Sequence, residues 1–358
     1  MNYLKNNILL TVVLFVVFLT FIPSLSNTFI NWDDPGLLLN NLLVRSLGLD
    51  NILKIFTTPL IKIYTPLTII FFAVEYHFFQ YNPLVYHLNN LLLHLATTGL
   101  IYVFITQLGF NKRIAAFSAL LFGIHPMHVE SVAWVSQRKD VLYAFLYMLS
   151  LNYYMLYLRS KKKWHFFTVF ILGMLSMFAK PMALSLPLIL FLCDFFQGRK
   201  YSIKMILEKV SLGVYIIPIT LVTLREVQYT YHTNFFEEVV KTIWITMFYI
   251  KRFFLPVDLG IFHSLPEPFS YTNFTYMSSI LGFTVWVGSL IIFRKNKTYM
   301  FSNLFFLCSI FFVLRRVQEH TPGSGPFYSI ENRSMYLASV GYCLLLGCFF
   351  NSLFQFIK

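Results

Sequence analysis

Charge is scarce in this sequence. Only 12% of its 358 residues are charged and only 15 are acidic, where a soluble domain carries about 25% charged residues. That excludes an ordinary soluble fold. Cysteine is nearly absent. Cys193, Cys308, Cys343 and Cys348 all lie in apolar runs without CxxC spacing, which argues against a disulfide framework or a zinc site and for small hydrophobic residues in helices. There is no repeat of about 20–50 residues, no Gly/Ser linker and no low-complexity tail, so 1–358 reads as a single integral membrane domain. No small-x-small cleavage site follows the first apolar run, which therefore reads as an uncleaved first transmembrane helix.

Apolar side chains are abundant instead: 57% of residues are hydrophobic, 41 are Phe, and mean hydropathy is +0.65. Lipid-facing helices need such a composition. Runs of spanning length occupy 8–25, 84–107, 114–127, 140–158, 164–179, 182–196, 209–224, 277–293, 298–314 and 335–354. They predict an all-α polytopic membrane protein with about 10–11 transmembrane helices. Segments 65–80 and 239–255 are ambiguous by composition, and charge arbitrates.

Take the N-terminus as cytoplasmic and both ambiguous segments as interfacial or re-entrant. The inner side then holds Lys5, Lys112, Arg113, Arg159, Lys161, Lys162, Lys163, Arg199, Lys200, Lys204, Lys209, Arg294, Lys295, Lys297 and Lys358, against only Asp194 and Glu208. The whole net charge of +13 falls inside and the outer side is neutral, as the positive-inside rule asks. A full span at 65–80 alone would flip every later loop. The basic clusters thus mark topology, and no nucleic-acid partner is expected. The outer stretches are 26–83, 225–276 and 315–334, punctuated by Pro256, Pro266, Pro268, Pro322 and Pro326.

The polar motifs gather on the outer side. Asn31-Trp32-Asp33-Asp34-Pro35 places two carboxylates just outside the first span, where one can act as general base toward a hydroxyl; the dipeptide alone equally suits an Asp-Pro turn. His125, His128 and Glu130 lie within six residues and suit either a divalent cation or hydrogen bonds to a sugar or phosphate, though the spacing is not HExxH. Arg138, Lys139 and Asp140 open the next span at a depth suited to lipid phosphate. His87, Asn90 and His94 share one helix face, lining a site or bonding neighbouring helices. Lys180-Pro181 interrupts two spans, and a lysine at that depth needs a phosphate or an acidic partner such as Asp33. Glu331-Asn332-Arg333 precedes the last span, and arginine suits bidentate phosphate binding.

In this order the chain resembles the membrane domain of the TMTC-like proteins and their bacterial relatives, which are related to protein O-mannosyltransferases and to the GT-C class of lipid-dependent glycosyltransferases. The matching segments are NWDDP, YTPLT, NPLVYHLNNLLLHL, FGIHPMHVESVAWVSQRKDVL, AKPMALSLPLIL, LPVDLGIFH and ENRSMYLASVG, covering about 30–350. The resemblance implies a GT-C-type fold with juxtamembrane helices in the first outer loop. It implies a polyprenyl-phosphate-linked monosaccharide as donor and a hydroxyl acceptor, on protein Ser/Thr or on a glycan. By motif position Asp33 or Asp34 would be the catalytic carboxylate. Lys180, Arg138 and Arg333 would meet the donor phosphate. His125, His128 and Glu130 would line the donor or metal region. His87 and Asn90, from their shared helix face, are candidates for the same substrate region, and Asp34, His125, His128 and Glu130 are the candidate ligands for Mg or Mn. The wording is closer to bacterial relatives, which implies a bacterial inner membrane with the site facing the periplasm.

Two departures stand out. Many relatives carry C-terminal tetratricopeptide repeats, whereas this sequence stops four residues after its last span, so recognition of the acceptor through repeats is not expected from it. Asn332 separates Glu331 from Arg333, which puts Glu331 in doubt more than Arg333. The competing functions are a transporter or flippase of a lipid-linked sugar, for which inverted repeats are missing, and a catalytically dead scaffold.

Overall fold

A computed structural model describes residues 8–60, 64–226, 234–266, 269–314 and 330–356. Lys5, Pro268, Pro322, Pro326 and Lys358 lie outside the described residues. The fold is all-α, 80% helical, with no strand among the described residues.

The helices are α1 (Ile8–Phe21), α2 (Leu49–Thr57), α3 (Pro66–Phe79), α4 (Pro83–Gln107), α5 (Lys112–Ile124), α6 (Val129–Ala133), α7 (Arg138–Ser160), α8 (Lys163–Ala179), α9 (Leu186–Phe196), α10 (Ile203–Val210), α11 (Gly213–Glu226), α12 (Phe235–Phe254), α13 (Phe274–Ile292), α14 (Lys297–Ile310) and α15 (Met335–Phe356). Each of the ten apolar runs contains a helix. Among the described residues six stretches are long and apolar enough to cross a bilayer: Ile8–Ser26, Pro83–Gln107, Val135–Ser160, Ile203–Arg225, Phe274–Ile292 and Asn332–Phe356. The chain is a polytopic α-helical membrane protein.

Several of the other runs are shorter than a span needs. Helix α5 has 13 residues, about 20 Å at 1.5 Å per residue, against about 30 Å of hydrocarbon. It stops at Ile124 because Pro126 follows, and the residue before a proline is pushed out of the helical region: His125 is extended, with φ −66° and ψ 128°. Helix α3 has 14 residues. Helix α12 carries Glu237 and Glu238 in its first turn and Lys251 and Arg252 in its last, charges that complement its macrodipole and suit an interfacial helix better than a buried span.

Helix α7 runs through the centre, packed along α4 and α8, while α15 packs along α5 and α14. Small residues let α15 approach both neighbours. A Cβ on Gly341 would meet the Ser302 carbonyl of α14, and one on Gly347 would meet Ser118 of α5. Close approach at small residues is how apolar helices gain packing when lipid offers no hydrophobic driving force. Helix α13 instead leaves Leu281, Val285, Ile291 and Ile292 exposed, as a lipid-facing helix does.

Candidate active site

The segment between α1 and α3 is anchored by Asp34. Its carboxylate is fully buried. Oδ2 accepts the Ile30 amide at 2.7 Å, and Oδ1 accepts the Trp134 indole N–H at 3.0 Å, the Ser136 amide at 3.0 Å and the Ser136 hydroxyl. Four donors saturate the group, so Asp34 staples the acidic motif to residues 134–136. Asp33 is different. Its side chain is 20% exposed and sits 3.6 Å from the Lys139 ammonium. One carboxylate of the pair is therefore structural and the other is presented.

Lys139 stands in the first turn of α7, its Nζ also donating to the Ser136 carbonyl at 3.3 Å. It lies within electrostatic reach of Arg333, Asp140 and Lys180. Lys180 is paired with Asp140, not with Asp33, and the other Asp140 oxygen accepts the Ser131 hydroxyl at 3.3 Å. Arg333 is clamped by Glu130 and, at 2.5 Å, by Glu331. Its guanidinium lies over the rings of Trp134, at 5.4 Å, and Phe262, at 5.7 Å. Burial pushes the Glu130 carboxyl up, and the Arg333 charge beside it pulls it back. The sequence motifs of 31–35, 130–140, 180 and 331–333 thus converge on one face, with three cations interleaved among carboxylates.

Other expected residues serve the frame. Arg138 is buried. It donates to Asn90, to Glu75 and, at 2.8 Å, to the Tyr86 carbonyl, with Phe72 under its charge at 5.5 Å. Its donors point into the protein, whereas those of Lys139, one residue on, reach Asp33. Asn90 spends its amide on the carbonyls of Val132, at 3.2 Å, and Trp134, at 3.0 Å. His87 is buried beside Asp34 and the backbone of Thr28 and Ala133, without a well-formed hydrogen bond at either ring nitrogen. His94 bridges Tyr336, at 2.6 Å, and the Gly123 carbonyl, at 2.9 Å, which makes it a helix-to-helix bond.

The proposed cation set does not assemble. His125 donates Nε2–H to the Phe253 carbonyl at 3.0 Å and stacks on that ring, while its Nδ1 accepts the Met127 amide at 3.3 Å. His128 donates Nδ1–H to the Phe122 carbonyl at 2.7 Å, with Ser339 Oγ at 3.1 Å from Nε2. Burial holds its imidazolium well below the usual range. The Asp34 carboxylate is saturated, and Glu130 belongs to Arg333. The residue types suit a metal but their lone pairs are engaged, and among the described residues no group of three or more His, Cys, Asp or Glu side chains is placed to hold one.

A second polar cluster occupies the other end of α7. Arg199 pairs with Glu208 at 2.6 and 2.9 Å, Lys209 pairs with Asp194, and the hydroxyls of Tyr154 and Tyr157 donate to Asp194 and Glu208. Both acidic residues of the basic side are used there. Adjoining cavities of 180 and 250 Å³ share Arg199 in their walls.

A polytopic helical membrane protein that presents one carboxylate among clustered cations at one end of its bundle is the class defined so far. Comparison with known proteins narrows it. The chain is 25% identical to protein O-mannosyl-transferase F38B6.6 of Caenorhabditis elegans over 95% of its length and 51% of that protein's. It is 26% identical to protein O-mannosyl-transferase Tmtc1 of Drosophila melanogaster over 53% of its length and 23% of that protein's. Against human protein O-mannosyl-transferase TMTC1 the identity is 37% over 25% of the chain and 10% of that protein. No family model and no solved structure matches the chain significantly. Its homologues are named protein O-mannosyl-transferases of the TMTC family. The matched stretch spans about half the length of the first of these relatives and less than a quarter of each of the other two.

Proposed function

We propose that this protein is a glycosyltransferase that moves a monosaccharide from a polyprenyl-phosphate carrier to a protein hydroxyl on the outer face of the membrane, within a GT-C-type fold. The observation that carries the reading is the partly exposed Asp33 carboxylate beside Lys139, with Arg333 and Lys180 close by. The names of the homologues support sugar transfer to protein. The excess of basic residues in the loops containing Arg159–Lys163 and Arg294–Lys297 supports a cytoplasmic N-terminus and an outer site.

In this reading Asp33 accepts the proton of the acceptor hydroxyl as its oxygen attacks the anomeric carbon. The bond from that carbon to the phosphate oxygen breaks, and the electron pair leaves on the phosphate. Lys139 and Arg333 stabilise the charge that develops there. One displacement inverts the anomeric centre. Arg138, first expected to meet the phosphate, here supports the frame.

The test is transfer of a labelled sugar from its polyprenyl phosphate by the purified protein in lipid. Asp33→Asn should lower turnover by at least about 100-fold. Unchanged turnover would remove Asp33 as the base. Movement of the intact lipid across a liposome without cleavage would replace transfer by transport.

A further inference from the structure

Trp32 is 57% exposed in the segment that follows the first span. It immediately precedes Asp33, so ring and carboxylate leave the same turn, which is closed by Trp32 N–H donating to the Ile30 carbonyl at 2.8 Å. Its aromatic neighbour among the described residues is Phe262, with centroids 5.5 Å apart and planes inclined by 45°. That inclination leaves an open angle between the rings in place of a closed stack.

The Phe262 ring is held from behind. Phe262 lies over Arg333, Arg333 lies over Trp134, and the Trp134 indole donates to Asp34. The loop that carries Phe262 is fixed to the segment before α15. His263 and Ile330 exchange amide-to-carbonyl bonds of 3.0 Å, and Asn332 donates to the Gly260 carbonyl at 2.9 Å. A continuous column thus runs from the buried carboxylate to an exposed aromatic surface beside the presented one. Arg333 adjoins Phe262, and Lys139 adjoins Asp33.

A pyranose fits this chemistry. Its ring has a face of C–H bonds, whose positive edges are drawn to the negative face of an aromatic ring, and a rim of hydroxyls that a carboxylate accepts. We infer that Trp32 and Phe262 form the platform on which the donor's sugar lies, with its phosphate toward Arg333 and Lys139 and its anomeric carbon toward Asp33. This rests on the glycosyltransferase reading and adds the residues that select sugar over bare lipid phosphate.

Binding of polyprenyl-phosphate mannose and of sugar-free polyprenyl phosphate to the full chain in lipid nanodiscs tests it. Trp32→Ala should weaken the mannosylated lipid roughly 2- to 12-fold and leave the sugar-free lipid unchanged. Phe262→Leu should give the same selective loss, and Trp32→Phe should keep most of the affinity. Equal weakening of both lipids by Trp32→Ala and Phe262→Leu would make the rings a contact to lipid or to the membrane interface and overturn the inference. So would no weakening of either. A wild-type chain that binds neither lipid would instead overturn the donor reading itself, which the Asp33→Asn turnover measurement addresses separately.

Discussion

Neighbouring residues with the same chemistry have opposite roles in this protein. Asp34 accepts four hydrogen bonds in the interior, while Asp33 is partly exposed and faces the buried Lys139 ammonium. Asp34→Asn puts an amide N–H against a fixed donor, and hydrogen bonds to charged groups contribute about 1.5–3 kcal/mol each. Its melting temperature should fall, where that of Asp33→Asn stays near wild type. Equal melting temperatures would show that Asp34 is not the staple. Arg138 and Lys139 divide in the same way. Truncating one member of a buried pair costs about 3–5 kcal/mol, so Arg138→Met should destabilise strongly, and Glu75→Leu added to it should recover part of the loss in the same thermal assay. An unchanged melting temperature in Arg138→Met would remove the pair from the frame. The sequence shows which motifs carry charge, but consecutive helical residues point about 100° apart. Which one faces the site depends on packing partners such as Glu75 and Trp134, far away in the chain.

At the scale of elements, the loop after α12 answers to pH. Asn332 donates to the Gly260 carbonyl and, at 3.1 Å, to His263 Nε2, which must be unprotonated to accept. Burial first, then the Arg252 charge, lowers the His263 pKa from its ordinary value near 6.5. A lowered pKa means that the unfolded chain takes up the proton first. The attachment is therefore at full strength above about pH 6.5 and is lost as pH falls through the folded value. Proteolysis of the loop should accelerate on acidification below that pH, and His263→Gln should flatten the dependence. A wild-type profile in His263→Gln would exclude His263. Contact between helices gives a second expectation. Gly341→Ala forces a methyl group onto the Ser302 carbonyl and should destabilise by about 1–3 kcal/mol, read as a lower melting temperature in detergent; no change would show that α14 and α15 can separate. Apolar runs and prolines make the helices legible in the sequence, because length, hydropathy and Pro126 or Pro181 set their ends locally. The pairing of Gly341 with Ser302 is invisible there, since it depends on which helices become neighbours.

At the scale of the whole molecule, sidedness is the first quantity to measure. Asn40 and Lys162 are both exposed, on stretches expected outside and inside. With Cys308 and Cys348 replaced, Asn40→Cys should react with an impermeant thiol reagent added to intact cells, and Lys162→Cys only after the membrane is opened. The reverse pattern would invert the orientation. Helix α7 gives the molecule a further property. It is held at one end by the Lys180–Asp140 and Arg138–Glu75 pairs, and at the other by Tyr154 and Tyr157 on Asp194 and Glu208. From Asp140 to Tyr157 the rise is about 26 Å at 1.5 Å per residue, close to the thickness of the hydrocarbon layer. Tied to its neighbours at both ends, α7 can tilt only together with them. A bilayer of another thickness therefore meets these helices as one body, and mismatch is taken up by tilting them together or by stretching or thinning the lipid at their perimeter.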